Sequence, residues 1–429
     1  MFLLVPLPKS NAIAFLVSDH TRAVPSSLSR DPNRLIPRLT SSPPPLFLKP
    51  WVSSLVNCIS NPGRIETLAL GFLFMTINNS LNALESLRAE VIELLDQLPT
   101  LKHSKWIGQA LATLVRIAGT EVERLDWKIL SAALQDMEQG FQIFYPYRHV
   151  RKVTIFGSAR ISPDTPEYRM AVDFARSVVE QGYMVMTGAG GGIMQAGNEG
   201  AGAEKSFGLN IRLPFEQEAN PFIEGDPKLF HFKYFFTRKL FLLKESDAIA
   251  LFPGGFGTQD EAFECMTLSQ TGKFGPMPVI LIDRPGGNYW EAWNAYVKEH
   301  LLQPGLISPE DPNLYTITDR LDVAMEAINS FYRVYHSSRY VEDRFVIRLK
   351  CDLSDAAIEE LNEQFSDILV KGRIEKSQAL PQEAGDETFD LPRLVLYFNQ
   401  RDLGRLYQLI GAINQLGKSS YESKHPERK

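Results

Sequence analysis

The stretch Ala248-Ile249-Ala250-Leu251-Phe252-Pro253-Gly254-Gly255-Phe256-Gly257-Thr258-Gln259-Asp260-Glu261 decides the fold. Its first five residues form an unbroken apolar run, the length of a strand buried on both faces. Three glycines follow, and a helical pattern then runs from Ala262 to Leu268. A strand, a Gly-rich turn and a helix start bring backbone against a phosphate: the glycines remove side-chain obstruction, and the free N–H groups of the first helical turn point at the anion. Asp260 and Glu261 sit in that same turn, where a pure phosphate cradle has no electrostatic use for carboxylates. The combination points to chemistry beside a bound phosphate. A structural reading competes, because Thr258-x-x-Glu261 is also a capping box, with Thr258 capping the helix and Glu261 bonding back to its N–H. A helix start by itself needs no Pro-Gly-Gly-x-Gly loop, so the functional reading is favoured.

Outward from this stretch, residues 150–336 alternate strand and helix. Strands are predicted over 152–156, 184–187, 206–211, 248–252 and 279–282. Helices are predicted over 167–181, 194–203, 234–245 and from Thr258 onward, with late helices over 289–300 and 321–335. That alternation specifies an α/β domain with a Rossmann-like, doubly wound parallel sheet, whose ligands bind at the carboxyl ends of the strands.

The flanks differ. Residues 1–74 hold ten of the 27 prolines and seven Lys/Arg against three Asp/Glu, with Pro43-Pro44-Pro45 in their midst. This composition predicts disorder. Met75 opens a patterned segment at once, which favours sequence upstream of the true start over a basic, Ser-rich targeting peptide. Residues 75–149 read as a helical arm: Leu81, Leu84, Leu87 and Val91 make one stripe, Trp106, Ala110, Leu111, Leu114 and Ile117 a second, and 126–144 carries a third. Past Tyr340, a strand over 345–351, an amphipathic helix over 354–370, strands over 372–377 and 394–398 and a helix over 403–416 suggest a small α+β, ferredoxin-like module spanning 340–417. A loop rich in Pro, Gly, Glu and Asp over 381–390 separates its later strands. The last residues, 418–429, read as a disordered tail.

Composition excludes several function classes. The 429 residues are 44% hydrophobic and 22% charged, as in ordinary globular protein, and a net charge of −6 is not the footprint of a nucleic-acid binder. Cys58, Cys265 and Cys351 are too few and too dispersed for a disulfide framework or a zinc site, which fits a reducing cytoplasmic compartment. The longest apolar run, residues 68–77, is too short to span a bilayer. No metal and no cofactor are expected.

Four turns lie at strand ends. Phe156-Gly157-Ser158-Ala159-Arg160 follows the first strand. Thr187-Gly188-Ala189-Gly190-Gly191-Gly192-Ile193-Met194 follows the second, but Ile193 stands where a dinucleotide fingerprint needs its third glycine, and no Walker lysine is present. Thr237-Arg238-Lys239 is a charged pair inside a run of Phe, Tyr and Leu, and must find partners or reach the surface. The 253–261 loop is the fourth.

Taken together, these stretches resemble the Lonely guy (LOG) family, often labelled "lysine decarboxylase". The matching segments are Phe156 to Arg160, Gly191-Gly192-Ile193-Met194-Gln195-Ala196, Gly208-Leu209-Asn210-Ile211-Arg212-Leu213-Pro214, Arg238-Lys239, and Pro253 to Glu261. The sequence departs from the family's Gly-Gly-Gly-x-Gly-Ile-Met-Glu loop at Ala189, Gly191 and Gln195. The resemblance implies a Rossmann-like homodimer that hydrolyses nucleoside 5′-monophosphates, AMP or N6-modified AMP of the cytokinin type, to free base and ribose 5-phosphate. It places the family's catalytic arginine and glutamate on Arg238 and Glu261.

The chemistry suits those residues. Ribosyl C–N cleavage passes through an oxocarbenium-like state, which a carboxylate near C1′ stabilises while orienting or deprotonating water. Glu261 fills that role, with Asp260 and Glu264 as secondary candidates. Arg238 is a permanent cation suited to the 5′-phosphate or the carboxylate. Amides of Gly190, Gly191, Gly192 and Ile193, those of Gly255, Phe256, Gly257 and Thr258, and the Thr258 hydroxyl are expected to hold the phosphate. Gly157, Ser158, Arg160, Met194, Lys239, Gly254 and Asp260 complete the expected contacts. A decarboxylase would need a lysine in Schiff-base context with pyridoxal phosphate, and no lysine here has one. Two other readings stand beside hydrolysis: a non-catalytic nucleotide sensor or cofactor carrier on the same fold, and control of the enzyme by a regulatory nucleotide on the C-terminal module.

Overall fold

A computed structural model of the chain describes residue 93 and residues 96–212 and 218–424. The extension over 1–74 and the Leu81–Val91 stripe lie outside the described residues. The chain divides into two compact units, residues 1–115 and 116–429. Helix α1 (Ser104–Ala118) carries the second predicted stripe and buries none of its side chains. Both sheets belong to the second unit.

Seven parallel strands form one sheet: β1 (Lys152–Phe156), β2 (Met184–Thr187), β3 (Ser206–Ile211), β4 (Leu229–Phe232), β5 (Ala248–Leu251), β6 (Val279–Ile282) and β7 (Thr316–Thr318), in the order β4-β3-β2-β1-β5-β6-β7. The central strands are apolar on both sides because helices cover both faces. Val153 and Ile155 of β1, with Ala248 and Ala250 of β5, face one layer made by α3 (Pro166–Glu180), α4 (Ile193–Ala201) and α8 (Leu321–Phe331). Phe156, Ile249 and Leu251 face the opposite layer, with α2 (Arg124–Phe144), α5 (Phe235–Lys244), α6 (Phe256–Gln270) and α7 (Tyr289–Val297). This is the two-residue alternation of a strand put to use on both sides.

Local signals set several boundaries. Thr165 caps α3 by accepting the Tyr168 N–H, Pro166 occupies its first turn, and Gly182, at φ 87°, turns the chain out of it. The short edge strands β4 and β7 are not among the predicted strands: β7, Thr316-Ile317-Thr318, is only three residues long, and β4, Leu229-Phe230-His231-Phe232, merges along the chain with the aromatic run that leads into α5. The chain runs β1 to β4 toward one edge and then crosses back to β5. The order therefore reverses between β1 and β5, which pair from Val153↔Ala248 to Phe156↔Leu251.

The C-terminal module is a four-stranded antiparallel sheet, β10-β11-β9-β8, formed by β8 (Tyr335–Val341), β9 (Arg344–Leu349), β10 (Leu369–Ser377) and β11 (Arg393–Phe398). Helices α9 (Asp355–Phe365) and α10 (Leu403–Leu416) pack on one face. The order β9-α9-β10-β11-α10 is the ferredoxin-like succession that the sequence pattern suggests, with β11 inserted between the parallel pair. The fourth strand is an addition to that pattern. The helical pattern over 321–335 overruns its helix: α8 stops at Phe331, and β8 straddles the expected boundary at 336–340. The predicted helix over 354–370 likewise ends early, since Leu369 and Val370 open β10. The loop over 381–390 folds over the sheet and seals Glu383 between Arg348 and Arg393. Tyr407 ties the module to the α/β domain, its hydroxyl accepting from the Met277 N–H and donating to the Met277 carbonyl. The reading of 418–429 as a disordered tail is corrected over 418–424: these residues form helix α11 (Lys418–Lys424), anchored by the buried Tyr421 in the module core.

Candidate active site

The reversal of strand order opens a crevice at the carboxyl ends of β1 and β5, the position where open α/β sheets bind ligands. A cavity of about 920 Å³ occupies it. Arg238 from α5 and Glu261 from α6 both line this cavity, with Gly157, Ser158 and Arg160 after β1, Met194 of α4, and Gly254, Gly255, Gly257 and Thr258 after β5. The remaining expected contacts, Gly190, Gly191, Gly192, Ile193, Lys239 and Asp260, are not among its lining residues.

The Gly-rich loop after β2 is engaged in part by protein. Gly192 adopts φ 62°, and a Cβ there would stand 2.2 Å from the Ser158 carbonyl oxygen. The Ile193 N–H donates to that same oxygen at 3.0 Å, so it is spent on protein and does not face a ligand. A Cβ on Gly157 would in turn meet the Ile193 side chain at 2.6 Å. The loop thus clamps the β1 turn. The Ser158 N–H donates to Pro253 O at 3.2 Å, and the Ser158 Oγ accepts from Arg160 N at 3.1 Å. Three strand-end turns are laced into one floor.

Main-chain amides remain at the start of α6. The helix begins at Phe256 with Gly255 as N-cap and no capping side chain. The capping-box alternative is thereby corrected: Thr258 is the third residue of the helix, and its hydroxyl packs where a Cβ on Gly254 would lie, 2.1 Å away. The amides of Phe256, Gly257 and Thr258 have no intrahelical acceptor, as at any helix start, and the helix dipole adds partial positive charge there. Tyr289, which no local sequence signal singles out, holds this loop: its hydroxyl donates to Gly254 O at 2.5 Å and accepts from Gln259 Nε2 at 2.6 Å.

Arg238 is 8% exposed. Its Nε donates to Leu209 O at 2.7 Å, and its guanidinium lies over Gly188, where a Cβ would come within 1.9 Å of Nη2. Gly188 is the second residue that sequence reasoning misses, because its need for a missing side chain comes from an arginine fifty positions on. Burial lowers the Arg238 pKa, and the facing Glu261 opposes that. Glu261 is partly buried; desolvation pushes its carboxyl up to about 7 against the pull of Arg238 and Lys239, with Asp260 and Glu264 adding to the rise. Lys239 is held beside the cavity by Asp260 at 2.5 Å and Glu264 at 2.6 Å, which explains how a second cation is tolerated in this apolar run. Cys265, one turn past Glu261, is buried and its thiol pushed up by desolvation, so it offers no thiolate. Among the described residues no group of three or more His, Cys, Asp or Glu is arranged to hold a metal ion, and no helix is long and apolar enough to cross a membrane.

Residues 186–328 match the family model described as "Possible lysine decarboxylase". This segment is a LOG-family domain. The LOG-type match starts within β2 and ends within α8, so it contains both Arg238 and Glu261. The solved structures similar to the chain include that of TM1055, a structural-genomics target, 22% identical, covering 42% of this chain and 99% of the other with a TM-score of 0.31. The molybdenum cofactor binding protein from the phototrophic bacterium Rippkaea orientalis is 18% identical over 42% of this chain and 95% of its own, with a TM-score of 0.29. DNA processing protein A from Helicobacter pylori is 14% identical over 41% and 79%, also with a TM-score of 0.29. No curated protein matches the chain.

Proposed function

We propose that the LOG-type domain hydrolyses the N-glycosidic bond of nucleoside 5′-monophosphates, AMP or N6-modified AMP, to free base and ribose 5-phosphate. One observation carries this reading: Arg238 and Glu261 face a single cavity whose floor is the amide-bearing start of α6. The amides of Phe256, Gly257 and Thr258 bind the 5′-phosphate, and that remote anchoring positions the ribose against Glu261. As the C1′–N bond breaks, its electron pair leaves with the base, which takes up a proton from solvent to become the neutral free base, while positive charge grows on C1′ and the ring oxygen and is quenched by the water oxygen. The Glu261 carboxylate stabilises that charge and takes a proton from the attacking water. A carboxyl with its pKa near 7 can exchange this proton at neutral pH. Arg238, buried and bonded to Leu209, holds Glu261 in reach of ionisation and supplies the fixed cation beside the substrate's anionic end.

The exposed aromatic side chains at the rim support a homodimer that closes the site. Phe256 is 97% exposed, and Phe235, Phe236 and Phe263 add to the same two helices, α5 and α6. Such apolar exposure marks an interface.

The deciding assay incubates the full chain with AMP and with N6-isopentenyl-AMP and follows free base by chromatography. Base release that is abolished in Glu261→Ala supports the reading; equal turnover by parent and variant rejects the role of Glu261. Tight nucleotide binding with no base release supports a sensor or carrier instead.

A further inference from the structure

Helix α2 lies wholly before the LOG-type match, yet it supplies the cap of the helix that carries Arg238. Helix α5 starts after Tyr234, and no side chain at its own N-terminus caps it. Asp136, in the middle of α2 and 6% exposed, fills that position. Its carboxylate accepts from the Lys233 N–H at 3.0 Å, the Tyr234 N–H at 3.4 Å and the Thr237 hydroxyl at 2.6 Å. A carboxylate at a helix N-terminus is favoured both by the unpaired donors and by the dipole. One turn further along, α2 and α5 meet again. A Cβ on Gly140 would stand 2.4 Å from the Phe241 ring, and Phe144 stacks on that ring with centroids 5.9 Å apart. Two contact points along one helix fix its translation and its rotation about its axis. Arg238 sits between them, its own N–H closing the first turn onto Tyr234 O.

We propose that Asp136 is a positioning residue: by capping α5 from a helix outside the LOG-type domain, it sets where the Arg238 guanidinium stands relative to Glu261. The inference rests on the hydrolase reading only in taking that pair as the catalytic one. Displacing the first turn of α5 moves Arg238 away from Glu261, and misplacement of this kind costs roughly 10- to 100-fold in rate.

The test uses the full chain as Asp136→Asn, which keeps one acceptor oxygen, Asp136→Ala, and Thr237→Val, which deletes one donor. Glu138→Gln, exposed on the same helix, is the control. Two readouts are taken at matched folded fraction: the pH profile of kcat/KM for AMP, and the titration of the Glu261 carboxyl by 13C NMR, assigned with Glu261→Gln. The charged groups acting on Glu261 are Arg238 and Lys239 from α5 and Asp260 and Glu264 from α6. Loss of folded protein would scale the rate equally at every pH and leave the midpoint in place. Retreat of Arg238 removes an attraction that lowers the Glu261 pKa, so the midpoint moves up from about 7 in the Asp136 variants and less in Thr237→Val. A parental midpoint and parental kcat/KM in both Asp136→Asn and Thr237→Val overturn the proposal. If the parent releases no base, the hydrolase reading fails, and the NMR midpoint alone still decides whether Asp136 positions Arg238.

Discussion

Replacing Glu261 by glutamine separates the catalytic role proposed for this residue from what it costs the fold. The carboxyl is raised from 4.5 to about 7, chiefly by desolvation. Between those values the folded protein binds more protons than the unfolded chain, so stability falls as pH rises through the window and levels off above it. At about 1.4 kcal/mol per pH unit, the ionised side chain costs the fold about 3 kcal/mol at pH 8.5 and about 1 kcal/mol at pH 5.5. Glutamine has the same shape and no charge to desolvate. Glu261→Gln is therefore expected to exceed the parent in stability at both pH values, by about 2 kcal/mol more at 8.5 than at 5.5. Every other titrating group is shared, so the comparison isolates this one. Urea unfolding of both proteins at the two pH values provides the measurement. The parent's kcat/KM should rise about tenfold per pH unit below 7 and flatten above, while the variant loses at least about 100-fold. An equal stability difference at the two pH values, or an acidic limb centred near the ordinary carboxyl value, would show that Glu261 is not the desolvated group described here.

Two other perturbations probe the same geometry. Gly188→Ala places a methyl 1.9 Å from Arg238 Nη2 and 2.6 Å from Met194 Sδ; the guanidinium gives way, and kcat/KM should drop roughly 10- to 100-fold with the circular dichroism spectrum unchanged. Phe256→Ser removes the most exposed aromatic at the rim of the cavity. Sedimentation velocity should show a smaller species than the parent, and an unchanged assembly would dismiss α5 and α6 as the dimer face.

The α/β domain is legible because its signals are local. The apolar run 248–252 and the β-branched-rich 152–156, Lys152-Val153-Thr154-Ile155-Phe156, are short segments bounded by turn residues and buried on both faces, so both read as central strands of a helix-covered sheet. The glycines of 253–257 and the carboxylate at Glu261 likewise read directly, since a close backbone approach and a charged side chain are properties of the residues themselves. Signals weaken where burial is partial. Strand β8 begins Tyr335-His336-Ser337-Ser338, partly buried through its middle, and its start reads as the end of a helix. Lys418–Lys424 is polar throughout except for Tyr421, whose burial needs the module core already in place.

Sequence by itself determined which residues are candidates for the site; only tertiary structure decided which of them meet. Arg238 and Glu261 converge because the strand order reverses between β1 and β5, a property of chain crossing that no window of residues contains. The amide of Ile193 is spent on Ser158, and Asp136 of a preceding helix caps α5, because hydrogen-bond partners are chosen by distance in space and not along the chain. The Glu261 pKa belongs to the same class. A carboxylate's charge is written in its side chain, but the water it loses and the cations it gains are set by the packing around it.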